Sequence, residues 1–155
     1  MKKEFMLKAI ELSRKNMQAG AGGPFGAVIV KDGRVIGEGW NKVTSSNDPT
    51  AHAEVVAIRN ACENAKNFSL DGAEIYTSCE PCPMCLAAIY WARISKIYYG
   101  NTRKDAASID FDDDFLYQEI PKDMAQRKIA MVQCAHDEAL DVFKEWQSKT
   151  DKIQY

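Results

Sequence analysis

Two short motifs restrict this chain more than any other feature. His52-Ala53-Glu54 and Pro81-Cys82-Pro83-Met84-Cys85 lie on either side of one strand-like run, Ala73 to Ser78, and each stands where an apolar helical run begins. Cys82 and Cys85, three apart, share one side of a helical first turn, so both sulfurs reach one point. Pro83 suits that first turn and would break a helix interior. His52 and Glu54 are two apart and would diverge on a regular helix. They serve one site only if it sits end-on at the helix start, and Asp48-Pro49-Thr50 upstream supplies turn and capping residues for such a start. The fold must therefore aim two helix N-termini at a common point, where the positive ends of the helix dipoles favour thiolates.

The rest of the chain supplies a scaffold for that geometry. At 155 residues it has the size of a single domain, 1–155. With 46% hydrophobic and 27% charged residues, it is neither disordered, nor collagen-like, nor a coiled coil. Phe5, Met6, Ala9, Ile10, Leu12 and Met17 predict a helix over 3–19. The Gly20-Ala21-Gly22-Gly23-Pro24 loop ends it. Phe25 to Lys31 and Arg34 to Trp40 predict two strands joined at Asp32-Gly33, a favoured pair for a tight hairpin. After a polar segment, Asn41 to Pro49, come a helix over 51–65, a strand over 73–78, a buried helix over 83–92 and a strand over 94–100. Residues 101–127 read as irregular with short helical pieces, 129–134 as a fifth strand, and 137–147 as a closing helix. This order predicts an α/β fold, a three-layer αβα sandwich around a five-stranded mixed sheet.

Charge and sorting signals narrow the functional classes. Lys plus Arg number 20 against 22 Asp plus Glu, which gives no support to a nucleic-acid surface. No apolar stretch approaches a membrane span or a signal peptide, so a cytoplasmic setting is expected. Five cysteines, three of them at positions 79, 82 and 85, make a poor disulfide framework and point to metal binding or catalysis.

One imidazole and two thiolates make three zinc ligands, the number a catalytic site uses when its fourth place is open. The sequence offers no convincing fourth ligand: Cys79 lies at the strand end, outside the helix turn, and His136 lies far along the chain. Zinc so held brings the pKa of a bound water down toward about 7, and Glu54 is the natural proton carrier.

H-x-E followed by P-C-x-x-C resembles the signature of the cytidine-deaminase-like zinc hydrolases. The resemblance implies hydrolytic replacement of an exocyclic amine on a heterocycle by oxygen, with release of ammonia. Within that superfamily the chain resembles the bacterial-type guanine deaminases over nearly all its length. The stretches that carry it run from Gly22 to Gly33, Thr44 to Glu54, Tyr76 to Arg93 and Phe111 to Phe115, with the final Tyr155. It implies one Zn²⁺ per subunit on His52, Cys82 and Cys85, with Glu54 as the proton shuttle. It also implies purine contacts from Asn41 and the Ala53 N–H, an acidic residue near the amino group at Asp113, and Tyr155 reaching a substrate pocket. Three consecutive aspartates, Asp112, Asp113 and Asp114, leave that acidic register open by one. Phe25 is a candidate for stacking on the base. The family further implies a homodimer that exchanges its C-terminal segment, about 136–155.

The expected reaction is guanine to xanthine and ammonia. Zinc-dependent deamination of tRNA adenosine, guanosine, cytosine or an ammeline-like triazine is the enzymatic alternative. The acidic run at Asp110 and 112–114 opposes a phosphate backbone and so a nucleic-acid substrate. A non-catalytic zinc scaffold is the other alternative; the carboxylate at Glu54 argues against it.

Overall fold

Alternating side chains along the first strand arrange the layers. In β1 (Gly26–Lys31), Ala27 and Ile29 face one side of the sheet and Val28 and Val30 the other, and all four are buried. A strand buried on both faces needs cover on both. α1 (Lys3–Gln18) supplies one side, where Phe5, Met6, Ala9 and Leu12 cluster with Val28, Val30 and Tyr76. α3 (Ala53–Ala65) and α4 (Pro83–Trp91) supply the other, where Ala53, Ala57, Ala61 and Ile89 meet Ala27, Ile29 and Ile75. The computed structural model describes residues 2–111 and 113–154. The chain divides into two compact units, 1–114 and 115–155.

The sheet belongs to the first unit. β1, β2 (Arg34–Trp40), β3 (Glu74–Cys79) and β4 (Lys96–Asn101) lie in the order β2-β1-β3-β4. β1 runs antiparallel to β2 and β3, and β3 runs parallel to β4 across the α4 crossover. Asp32 and Gly33 close the β1–β2 hairpin with φ of 51° and 74°, the two positive values a type I′ turn requires. α2 (Val43–Ser46) is a single turn inside the polar segment. α5 (Arg103–Ala107) follows β4 behind a Thr102–Asp105 capping box.

β2 carries glycines under α3. A Cβ at Gly39 would stand 2.2 Å from the Ala53 carbonyl oxygen, and one at Gly37 would stand 2.5 Å from that of Ala57. Bare strand and alanine-faced helix therefore lie in direct contact, which fixes the height at which α3 begins. Asn60 and Asn64, one turn apart on α3, donate to the Glu38 and Ile36 carbonyls at 2.8 and 2.9 Å. They bind the edge strand where the β1–β2 register shifts.

Three expectations are corrected. The sheet has four strands among the described residues, not five. Residues 129–134 are apolar enough to suggest a strand, but a strand forms only where a neighbour accepts its backbone hydrogen bonds. Here Ile129 is 80% and Val132 87% exposed. α4 is not a buried helix: it buries Cys85 and Ile89 and leaves Tyr90 and Trp91 exposed. Its all-round apolar composition concealed which side meets the core. The second helix begins at Ala53, because His52 has extended backbone angles and acts as its N-cap.

The second unit takes up most of α6 (Asp114–Glu119), a 3-10 turn at Met124–Gln126 and α7 (His136–Ser148). Arg127 fastens its loop by donating to the Lys122 and Ile120 carbonyls at 3.2 and 3.1 Å. No helix among the described residues is long and apolar enough to cross a membrane.

Candidate active site

The two helix starts converge. His52 is the N-cap of α3 and Cys82 the N-cap of α4; neither side chain caps its own helix, so both are available elsewhere. Pro83 occupies the first turn of α4 and places Cys85 three residues beyond the cap. His52 Nδ1 stands 3.7 Å from Cys82 Sγ and 3.5 Å from Cys85 Sγ. Zinc bonds of about 2.3 Å to sulfur and 2.0–2.1 Å to nitrogen, at a tetrahedral angle, put the two donors roughly 3.6 Å apart. The three side chains thus fit a zinc ion without rearrangement. They are the group among the described residues whose donor atoms all lie within 4.8 Å of one another. Cys79 stands apart, buried with its Sγ 3.7 Å from the Thr102 carbonyl. His136 is exposed beside Asp137.

Glu54 reaches the same point from the first turn of α3. Because His52 has left the helical conformation, the divergence expected of residues two apart does not arise. Glu54 is 6% exposed; Oε1 accepts from Thr77 Oγ1 at 3.1 Å and Oε2 from Cys85 Sγ at 3.4 Å. Burial pushes the Glu54 carboxyl above its ordinary range. The hydrogen bond from Cys85 pulls the Cys82 thiol down to about 4, with His52 adding to the effect. The same bond, together with burial, drives the Cys85 thiol up. His52 is raised by its contact with Cys82. Of the two thiols, Cys82 is therefore the one favoured as thiolate and Cys85 the one favoured as thiol. Burial raises the Cys79 thiol to about 11, which keeps it protonated.

The remaining candidates differ in their surroundings. Asn41 is buried, and its Oδ1 accepts from the Gly23 and Val43 amides at 3.2 Å each. Its oxygen is thereby spent on the chain's own loop, and Nδ2 is the end left for a ligand. Ala53 is the first residue of α3, so its N–H has no intrahelical acceptor. Asp113 is half-buried, and burial raises its carboxyl, with the charge at Cys82 adding to the shift. It also lines a cavity of about 540 Å³ with Arg103, Lys104, Ala107, Asp110 and Asp114. Of its neighbours, Asp114 is exposed at the start of α6 and Asp112 lies outside the described residues. Phe25 meets Phe111 edge-to-face at 4.8 Å. Tyr155 lies outside the described residues. Sequence reasoning missed Thr77, and also Ser78, whose Oγ accepts from the Gly26 amide at 3.0 Å. Polar residues in a β-branched strand carry no signal that separates them from ordinary strand formers.

The fold and the histidine–cysteine cluster define a class, and the chain belongs to the cytidine and deoxycytidylate deaminase family, whose zinc-binding-region model matches residues 1–101. It is 52% identical to the guanine deaminase of Bacillus subtilis over 151 residues, 97% of each chain. The X-ray structure of a guanine deaminase from B. subtilis matches with a TM-score of 0.97 at 50% identity, covering 100% of this chain and 99% of that one. A guanine deaminase structure from Nitrosomonas europaea matches at 28% identity and a TM-score of 0.67, covering 94% of this chain and 84% of that one. The tRNA-specific adenosine deaminase of Agrobacterium fabrum is 53% identical over 77 residues, 50% of this chain and 51% of that protein.

Proposed function

We propose that this chain hydrolyses guanine to xanthine and ammonia. The observation that carries the reading is the end-to-end match to a guanine deaminase, at 52% identity over 97% of both chains. The tRNA deaminase match stops at half of each chain. His52, Cys82 and Cys85 hold one zinc per subunit. Bound there, zinc supplies the Lewis acidity that makes a water nucleophilic near neutral pH. Glu54 would take a proton from the attacking water and give it to N3 of the purine, next to C2, and would then pass the proton of the new C2 hydroxyl to the amine, which leaves as ammonia. Burial suits it to the task, because raising the carboxyl makes it a better proton acceptor than an exposed one. The Asn41 Nδ2 donates to an acceptor on the purine edge, and the Ala53 N–H donates a second hydrogen bond. Asp113 accepts from the departing amino group. Phe25, steadied by Phe111, offers a ring face to the base.

The working unit is a homodimer that exchanges the segment from about residue 136 onward. Support comes from α7, which leaves Phe143 73% and Val142 60% exposed. Apolar side chains of that size call for a covering surface. The cysteines among the described residues are all free thiols, which suits a reducing cytosol.

The zinc-loaded protein should be offered guanine, guanosine, adenine, cytosine and tRNA under one set of conditions. The expected result is a kcat/KM for guanine at least about 100-fold above the others, because a site built to hydrogen-bond one edge rejects analogues that lack it. Faster deamination of tRNA adenosine than of guanine contradicts the reading.

A further inference from the structure

The hydroxyl of Thr77 has no part in the steps above, yet it touches the residue that moves the proton. Thr77 lies within β3, with its backbone paired to Ala27 of β1 on one side and Tyr99 of β4 on the other. Its side chain is 1% exposed. β-Branching restricts its χ1, so Oγ1 is held by both the sheet and the rotamer. That hydroxyl donates to Glu54 Oε1 at 3.1 Å. The second side-chain donor to Glu54 among the described residues is Cys85, whose Sγ lies 3.4 Å from Oε2. A cysteine that ligates a metal is a thiolate and has no proton to give. With zinc on Cys85, the Thr77 hydroxyl is the donor that remains.

We propose that Thr77 is a positioning residue for Glu54: its hydroxyl fixes Oε1 and so presents Oε2 toward the His52–Cys82–Cys85 cluster as the oxygen that carries the proton. The inference rests on the guanine-hydrolysis reading. Without the hydroxyl, buried Oε1 loses its side-chain donor among the described residues, a costly change that the carboxylate relieves by turning. A misplacement of about 1 Å at a reacting group costs on the order of 100-fold in rate. Threonine and valine have nearly the same shape, so Thr77→Val removes the donor and leaves the packing. Thr77→Ser keeps the donor and loses a methyl.

The experiment compares zinc-loaded wild type, Thr77→Val and Thr77→Ser by steady-state kinetics on guanine, zinc content and crystal structure. Thr77→Val is expected to keep its zinc and its KM while kcat falls by about 10- to 100-fold. Thr77→Ser is expected to recover most of the loss. The Glu54 carboxylate should be turned in the valine variant and unmoved in the serine variant. A valine variant with wild-type kcat, with lost zinc, or with an unmoved carboxylate overturns the proposal. If wild type fails to deaminate guanine, the functional reading falls, and the carboxylate orientation in the crystal structures decides the role of Thr77 by itself.

Discussion

Protons are shared unevenly among the three donor side chains of the metal-free cluster, and this sets the pH dependence of metal uptake. Cys82, pulled down to about 4 by its hydrogen bond with Cys85, is the thiol favoured as thiolate. Cys85 is pushed up and keeps its proton, and His52 is raised toward its charged form. Metal ligands must be thiolate and neutral imidazole. Zinc uptake at pH 7 therefore expels the Cys85 proton, and the His52 proton wherever the ring is charged. Since protons are products of binding, apparent zinc affinity falls as pH falls. Calorimetric titration of the metal-free protein in buffers of different ionisation enthalpy should show at least one proton released per zinc. A binding enthalpy that is independent of the buffer would contradict this. At this scale the sequence was informative where spacing constrains chemistry: two cysteines three apart and a histidine two before a glutamate allow few arrangements. It was silent on Thr77, which meets Glu54 only where β3 faces α3, and on which end of the Asn41 amide is free, which the Gly23 and Val43 amides decide.

Elements place these residues through small side chains. Gly39 lies under the first turn of α3, and a methyl there would collide with the Ala53 carbonyl at 2.2 Å and the Ala57 amide at 2.5 Å. The clash is with backbone, so the helix itself must move, taking His52 and Glu54 with it. Gly39→Ala is expected to cost about 1–3 kcal/mol in chemical denaturation and to weaken zinc retention during dialysis. A variant with unchanged stability and full zinc would show that α3 is not seated by this contact. The start of α4 was legible because Pro83 is a local signal, and the hairpin because Asp32-Gly33 accepts two positive φ values, whereas α3 was read two residues early because its cap is His52. The supposed strand at 129–134 and the burial of α4 were misread for one reason. Apolar composition announces a need for cover without saying which neighbour meets it.

The whole molecule presents a sheet domain that carries the candidate zinc cluster and a C-terminal unit rich in exposed apolar side chains, among them Ile129, Val132, Phe143 and Ile153. A dimer that exchanges the segment from about residue 136 onward would cover Phe143 and Ile153. Light scattering of the 17.4 kDa chain should give a dimer mass, and Phe143→Glu should shift it toward the monomer. A wild-type monomer at assay concentration would remove the exchange. The αβα layering was readable from element order. The fate of the C-terminal unit was not, because its partner surface lies outside its own local pattern. If Glu54 and the histidine–cysteine cluster together hydrolyse guanine, ammonia release from guanine must depend on that carboxylate, and zinc-loaded wild type and Glu54→Gln should be compared. Wild type is expected to release ammonia robustly and the variant to lose at least about 100-fold, with zinc and fold retained. Near-wild-type release by Glu54→Gln, or no release by either protein, would contradict this expectation.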